Sequence, residues 1–307
     1  MSAPDFAARL ARVIPTAPRP GVRELTYVPV DPSGHELHAP RSAPARRRAH
    51  RLAAEELPGA RVDATSNLLT IHGSHPAHAA VGRLRLGDAL DITPEHIGRL
   101  LHRAWWRPAP RNRPRVDLAI DPARIRFVDL ETTGLSGGTG TLPFLIGVGG
   151  WGDDGRFFTE QLLLRSPAEE PRALARLGAL LADASAVCSF NGKSFDLPLL
   201  RTRHVMTRRR LAPALTDAAP QVDLLHPARR MYKRWVPSCR LAALEVSILG
   251  RPRSDDTPGW MAPAIYGAYL RSGDASELAG IVAHNRDDLL GMVGLLAALT
   301  RALAESL

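Results

Sequence analysis

The chain has little cysteine, almost no lysine and no long apolar run, and each shortage closes off a class of reading. Of its 307 residues only Cys188 and Cys239 are cysteines, isolated from each other and from any CxxC pairing. Neither a disulfide framework nor a cysteine-rich zinc site is supported, and a reduced cytosol fits. No stretch of about 18 apolar residues occurs, and the opening "MSAPDFAARLARVIPTAP" carries an early Asp5 and lacks a long apolar core. A soluble, unexported, cytoplasmic protein without membrane contact is therefore expected.

Lysine is confined to Lys193 and Lys233, so arginine supplies nearly all of the formal net charge of +9. Such a balance favours polyanionic partners, nucleic acid first, because clustered cations release counterions from phosphate backbones. A compositional preference for arginine over lysine would leave the same mark. The 45% hydrophobic content is that of an ordinary globular protein able to bury a core.

The first part of the chain is rich in proline and arginine. It holds two strand-like pieces, "RELTYVPV" and "NLLTIHG", and one helix at "DITPEHIGRLLHRA", where Thr93 can cap, Pro94 suits the first turn, and Ile97, Leu100 and Leu101 form an apolar stripe. "RPAPRNRPR", Arg107 to Arg115, has too much proline for a helix and too much charge for a core. Read as a linker, it divides a small basic N-terminal region, 1–115, from a second region, 116–307.

Beyond it the periodicities sharpen. "IRFVDLE", "FLIGVGGW" and "RFFTEQLLLR" read as strands joined by the glycine-rich turns "GLSGGTG" and "GDDG", an antiparallel meander. "AEEPRALARLGALLADA" has helical spacing, "AVCSF" is a short buried strand, "SFDLPLLRTRHVM" opens a second helix, and helices dominate from there to the end. The pattern predicts an α/β domain on a mixed sheet. The glycine cluster lacks a following lysine and does not open onto a helix, so it is a hairpin turn rather than a phosphate loop.

Within the first of those strands Asp129 and Glu131 stand two residues apart, so both project from one face. Two neighbouring carboxylates repel, and burying them without a counter-charge costs several kcal/mol or keeps one protonated. Asp196 sits where a strand has ended and a helix begins, a position that also suits an ordinary first-turn acid. "AGIVAHNRDDLLGMVGLLAAL" is a strongly apolar helix on which His284 shares a face with both i+3 and i+4, Asp287 and Asp288. Four acids gathered from these places would present hard oxygen ligands, which suit Mg²⁺ or Mn²⁺.

"FVDLETTGL", "FNGKSFDLPLL" and "HNRDDLL" resemble, in order and context, the three motifs of the DEDD exonuclease group of the ribonuclease H-like superfamily. "CRLAALEVSILG" and "DDTPGWMAPAIYGAYLRSGD" add the look of its YprB-like branch, and the resemblance runs from about Ile125 to Leu299. It implies a ribonuclease H-like mixed sheet, three antiparallel strands followed by parallel ones with flanking helices. It also implies a two-metal phosphodiester hydrolase in which Asp129, Glu131, Asp196 and Asp288 hold the ions and His284 takes the proton of the attacking water. Histidine here stands four residues ahead of Asp288, the spacing of the tyrosine-type members, whereas histidine-type members use five. By that register Asp288 is the preferred ligand, with Asp287 as its rival.

"HPARRMYKRW" interleaves cations with aromatics, as a single strand of nucleic acid would require, so Tyr232 and Lys233 are candidate substrate contacts. An amphipathic helix with its rings in the core would have the same pattern. Asn191 and Lys193 join them through the family resemblance, while Asp223 is left outside the site as a cap or support. The resulting expectation is a metal-dependent 3′→5′ exonuclease acting on DNA or RNA. The alternative is a nucleic-acid-binding module that keeps the fold without turnover.

Overall fold

A computed structural model describes residues 54–101, 120–134, 140–253 and 257–304. "RELTYVPV", the linker at 107–115 and the glycines at 135–139 lie outside the described residues.

Strands β1 (Ala60–Val62) and β2 (Leu69–Pro76) come first, followed by a small hairpin of β3 (Ala80–Val81) and β4 (Leu84–Arg85) and by helix α1 (Pro94–Leu101). Thr93 caps α1 as its sequence predicts, accepting the His96 N–H at 3.2 Å. The meander follows as β5 (Ile125–Thr132), β6 (Pro143–Trp151) and β7 (Arg156–Leu163), then α2 (Glu170–Leu180), β8 (Ala186–Ser189), α3 (Asp196–Met206), β9 (Gln221–Asp223) and α4 (Leu225–Tyr232). Short α5 (Leu241–Leu244), α6 (Ala262–Ser272) and the long α7 (Leu278–Ala304) complete the described chain.

Seven strands form one sheet in the order β1-β2-β7-β6-β5-β8-β9. The pairs from β1 to β5 are antiparallel, whereas β8 runs parallel to β5 and β9 parallel to β8. This is the mixed α/β sheet that the periodicities predict, with two additions. Strand β9 is only three residues long, too short for its alternation to stand out in a stretch that reads as helical. Strand β2 pairs with β7 along its whole length, from Leu69 opposite Leu163 to Pro76 opposite Arg156. Two strands from before the expected division near residue 115 thus belong to the same sheet as the meander. Arg165 pins them there, its buried guanidinium bonding Glu169 at 2.9 Å, Glu55 at 2.8 Å and the Asn67 carbonyl at 2.8 Å.

The sheet is covered on both faces, and the alternation of β5 shows how this creates the site. Val128 and Leu130 point into one core cluster with Leu174, Leu177 and Tyr266. Ile125 and Phe127 point into the other, where Leu289, Met292 and Leu296 of α7 pack. Asp129 and Glu131 continue the Ile125–Phe127 side, so two acids stand on the face that α7 crosses. Strands β5, β8 and β9 end at the same edge, and the carboxyl ends of parallel strands are where open α/β sheets bind ligands.

Candidate active site

Asp129 lies in a row that crosses three strands. Its register partner on β6 is Gly147, whose partner on β7 is Gln161. Because Gly147 has no side chain, Asn285 of α7 can settle on the sheet between the other two, and a β-carbon at residue 147 would collide with its carboxamide. Asn285 Nδ2 donates to Asp129 Oδ2 at 2.7 Å and to the Asp129 carbonyl at 3.2 Å. Gln161 Nε2 in turn donates to Asn285 Oδ1 at 2.9 Å and to the Val282 carbonyl at 2.8 Å. The carboxylate is therefore oriented by a buried amide relay. Asn285→Ala would take one of two acceptors from Gln161 Nε2 and leave Asp129 without its side-chain donor; if Asp129 holds a metal ion, an activity loss of about 10–100-fold is expected. Gly147→Ala should reproduce that loss by displacing Asn285, and steady-state rates of the two variants check both.

Glu131 and His284 approach each other across the turn at Gly259: a β-carbon there would stand 3.2 Å from His284 Nε2 and 3.8 Å from Glu131 Oε2. On the next turn of α7, Asp288 Oδ2 is 3.7 Å from His284 Nε2. Asp287 faces elsewhere, paired at 2.9 Å with Arg251. Asp129, Glu131, His284 and Asp288, with Thr132, Phe195 and Gly259, line a cleft of about 210 Å³. The register of β5 on β6 shifts between Glu131 and Thr132, an irregularity of the kind that re-aims side chains beside a site.

Asp196 does not line that cleft but is buried beside it. It is delivered by the loop between β8 and α3, and Asp223 at the end of β9 staples that loop, accepting the backbone N–H of Asn191 at 2.8 Å and of Lys193 at 3.1 Å. Asn191 takes the left-handed conformation, φ 67°, and a β-carbon on Gly192 would collide with Ser189. The Asn191 and Lys193 side chains are exposed. Lys233 is also exposed, just past the end of α4. Tyr232 is not: it is 2% exposed and belongs to the core cluster that also holds Phe127, Leu244 and Ile248. The expectation that it stacks on substrate is corrected; on this helix the aromatic ring fills the buried stripe and the cations face out.

The acids act on one another. Burial raises Asp129 well above the usual carboxylate range, and the charges of Asp288 and Asp196 raise it further, against the opposing effects of His284 and the Asn285 hydrogen bond. Asp196 is pushed up to about 7 by burial and then by Asp223 and Asp288. Among the described residues, no group of three or more His, Cys, Asp and Glu side chains is arranged to hold a metal ion as it stands. The chemistry of the donor set nevertheless fits one. Crowded carboxylates that cling to protons are what a hard divalent cation relieves.

A stability test follows from the direction of these shifts. A carboxyl group that holds its proton more tightly folded than unfolded stabilises the fold fully below its unfolded value, about 4, and loses that contribution as pH rises through the folded one. For Asp196 the loss runs from about 4 to about 7. In chelator, the gain in Tm from Asp196→Asn should therefore grow between pH 5 and pH 8, as read by calorimetry. A constant gain contradicts the shift.

The sequence matches the RNase_H superfamily over residues 126–300, more than half of the chain. The chain belongs to the RNase_H superfamily. A curated relative, "Uncharacterized protein YprB" of Bacillus subtilis (strain 168), is 38% identical over 169 residues, 55% of this chain and 40% of that one. The chain thus spans about two fifths of that relative's length. Among solved structures, the crystal structure of E. coli Exonuclease I in complex with a dT13 oligonucleotide is similar over 52% of this chain and 43% of that one, at 16% identity and a TM-score of 0.34. Kinship with the RNase H-like superfamily and with YprB is as the three motifs predict. Among the described residues, no helix is long and apolar enough to cross a membrane.

Sequence reasoning misses Asn285 and Gln161. Asn285 lies inside "HNRDD", a motif read for its histidine and aspartates. Its role depends on a glycine and a glutamine on the two strands next to β5, whose adjacency no local pattern records.

Proposed function

We propose that this RNase_H superfamily protein is a divalent-metal-dependent nuclease, a 3′→5′ exonuclease hydrolysing phosphodiester bonds of DNA or RNA. The observation that carries the reading is the convergence of Asp129, Glu131, His284 and Asp288, from a strand and a distant helix, on one cleft, with Asp196 of a loop–helix junction buried beside it. A fold gains nothing in stability by crowding carboxylates at one end of a sheet, so their convergence argues for a ligand.

Asp129, Glu131, Asp196 and Asp288 would hold Mg²⁺ or Mn²⁺, two ions in the full complement. Bound, such ions stabilise charge on the phosphoryl oxygens and lower the pKa of water. The chain's own residues do the rest. Asn285 keeps Asp129 oriented. His284 is the general base, since imidazole is the side chain whose ordinary titration lies nearest neutrality. Lys193 and Lys233 offer exposed cations to the phosphates and Asn191 an exposed amide, and the arginine-rich surface supports a polyanionic substrate.

The test is incubation of single- and double-stranded DNA and RNA, labelled at either end, with Mn²⁺, Mg²⁺ or chelator. Ladders that shorten from the 3′ end, only with metal, are expected. Binding without metal-dependent products would leave a non-catalytic nucleic-acid-binding module.

A further inference from the structure

Glu245 is fully buried, 0% exposed, in the wide helical turn that follows α5. A β-carbon at Gly291 of α7 would collide with its carboxylate, so the helix is notched to receive it. An apolar side chain would fill the same space without the cost of burying a charge. What the carboxylate does is seat two arginines. Its Oε1 is 3.2 Å from Arg251 Nη1 and its Oε2 is 2.6 Å from Arg253 Nε. Each arginine then reaches one of two consecutive aspartates: Arg251 Nη2 is 2.9 Å from Asp287 Oδ1, and Arg253 Nη2 is 2.5 Å from Asp288 Oδ1.

The pair of arginines sorts the two acids. Arg251 draws Asp287 aside. Arg253, its side chain only 5% exposed, grips one oxygen of Asp288 and leaves the other beside His284. We propose that Arg253, seated by Glu245, is a positioning residue that fixes Asp288 at the cleft and serves as the resident counter-cation of the acid cluster. The metal-free protein can then carry Asp288 beside Asp129 and Asp196, and a divalent ion meets one acid already oriented.

A double-mutant cycle in chelator tests this independently of metal. Arg253→Met should lower Tm, and Asp129→Asn, which at pH 9 removes a charge from the same cluster, should raise Tm more in the Arg253→Met background than in the wild type. Arg253→Lys should recover most of the loss. A purely structural arginine predicts additive effects, and equal increments from Asp129→Asn in both backgrounds overturn the proposal. Should Arg253→Met fail to fold, Arg253→Gln, which keeps a donor without the charge, replaces it in the cycle under the same criterion. A parallel Mn²⁺ arm rests on the nuclease reading: the Mn²⁺-induced rise in Tm should be smaller in Arg253→Lys, which keeps the charge but loses the fork that orients Asp288, than in the wild type, and an equal rise counts against the positioning role. A wild type that does not respond to Mn²⁺ sinks the metal reading, while the chelator cycle still decides the role of Arg253.

Discussion

Asp129→Ala is expected to lose metal-dependent cleavage by well over the ~100-fold that outer partners of a metal site contribute, with the fold intact. The reason the fold survives lies in the hydrogen bonds around it. Asn285 Nδ2 donates to the Asp129 carbonyl as well as to its side chain, so truncation leaves the amide relay an acceptor. Removing a half-buried carboxylate whose proton affinity is raised by desolvation and then by its neighbours also relieves repulsion in the metal-free state. Asp288→Ala should lose cleavage to the same degree but cost stability too, because the buried Arg253 would lose the carboxylate that its Nη2 grips. Cleavage assays beside thermal melts separate the two variants. Full activity in either would remove that residue from the ligand set.

His284→Ala should slow cleavage by about 10²–10⁴-fold, the usual contribution of a positioned general base. The ring is held at the meeting point of three groups: Nε2 is 3.7 Å from Asp288 Oδ2 and faces the Gly259 turn and Glu131 across the cleft. A base acts in its neutral form, so in the wild type the rate should rise with pH as the imidazole loses its proton, and the variant should lack that limb. A small rate loss with the pH–rate profile unchanged would show that another group takes the proton.

How much of this was legible beforehand depends on how local each signal is. The meander is plain in the sequence because β5, β6 and β7 are long, and their turns carry the required glycines. Asp129 and Glu131 stand out because two acids at i and i+2 in an apolar strand have no easy structural explanation. The partition of Asp287 from Asp288 is decided by Arg251 and Arg253, which enter from a loop some 35 residues away and look like any other arginines of a basic chain. Pairing of β2 with β7 joins segments about 90 residues apart, a separation that no periodicity bridges. Tyr232 misleads for a physical reason: cations interleaved with rings are written alike by a nucleic-acid groove and by an amphipathic helix, and only burial tells them apart.

The central claim is that the acids of β5, α3 and α7 form one cation site. The measurement that tests it most directly is calorimetric titration of Mn²⁺ into the chelator-stripped protein and into its Asp129→Asn variant at pH 8. Saturable binding by the wild type that is lost in the variant is the predicted result. No binding by the wild type, or the same binding by both, would contradict it.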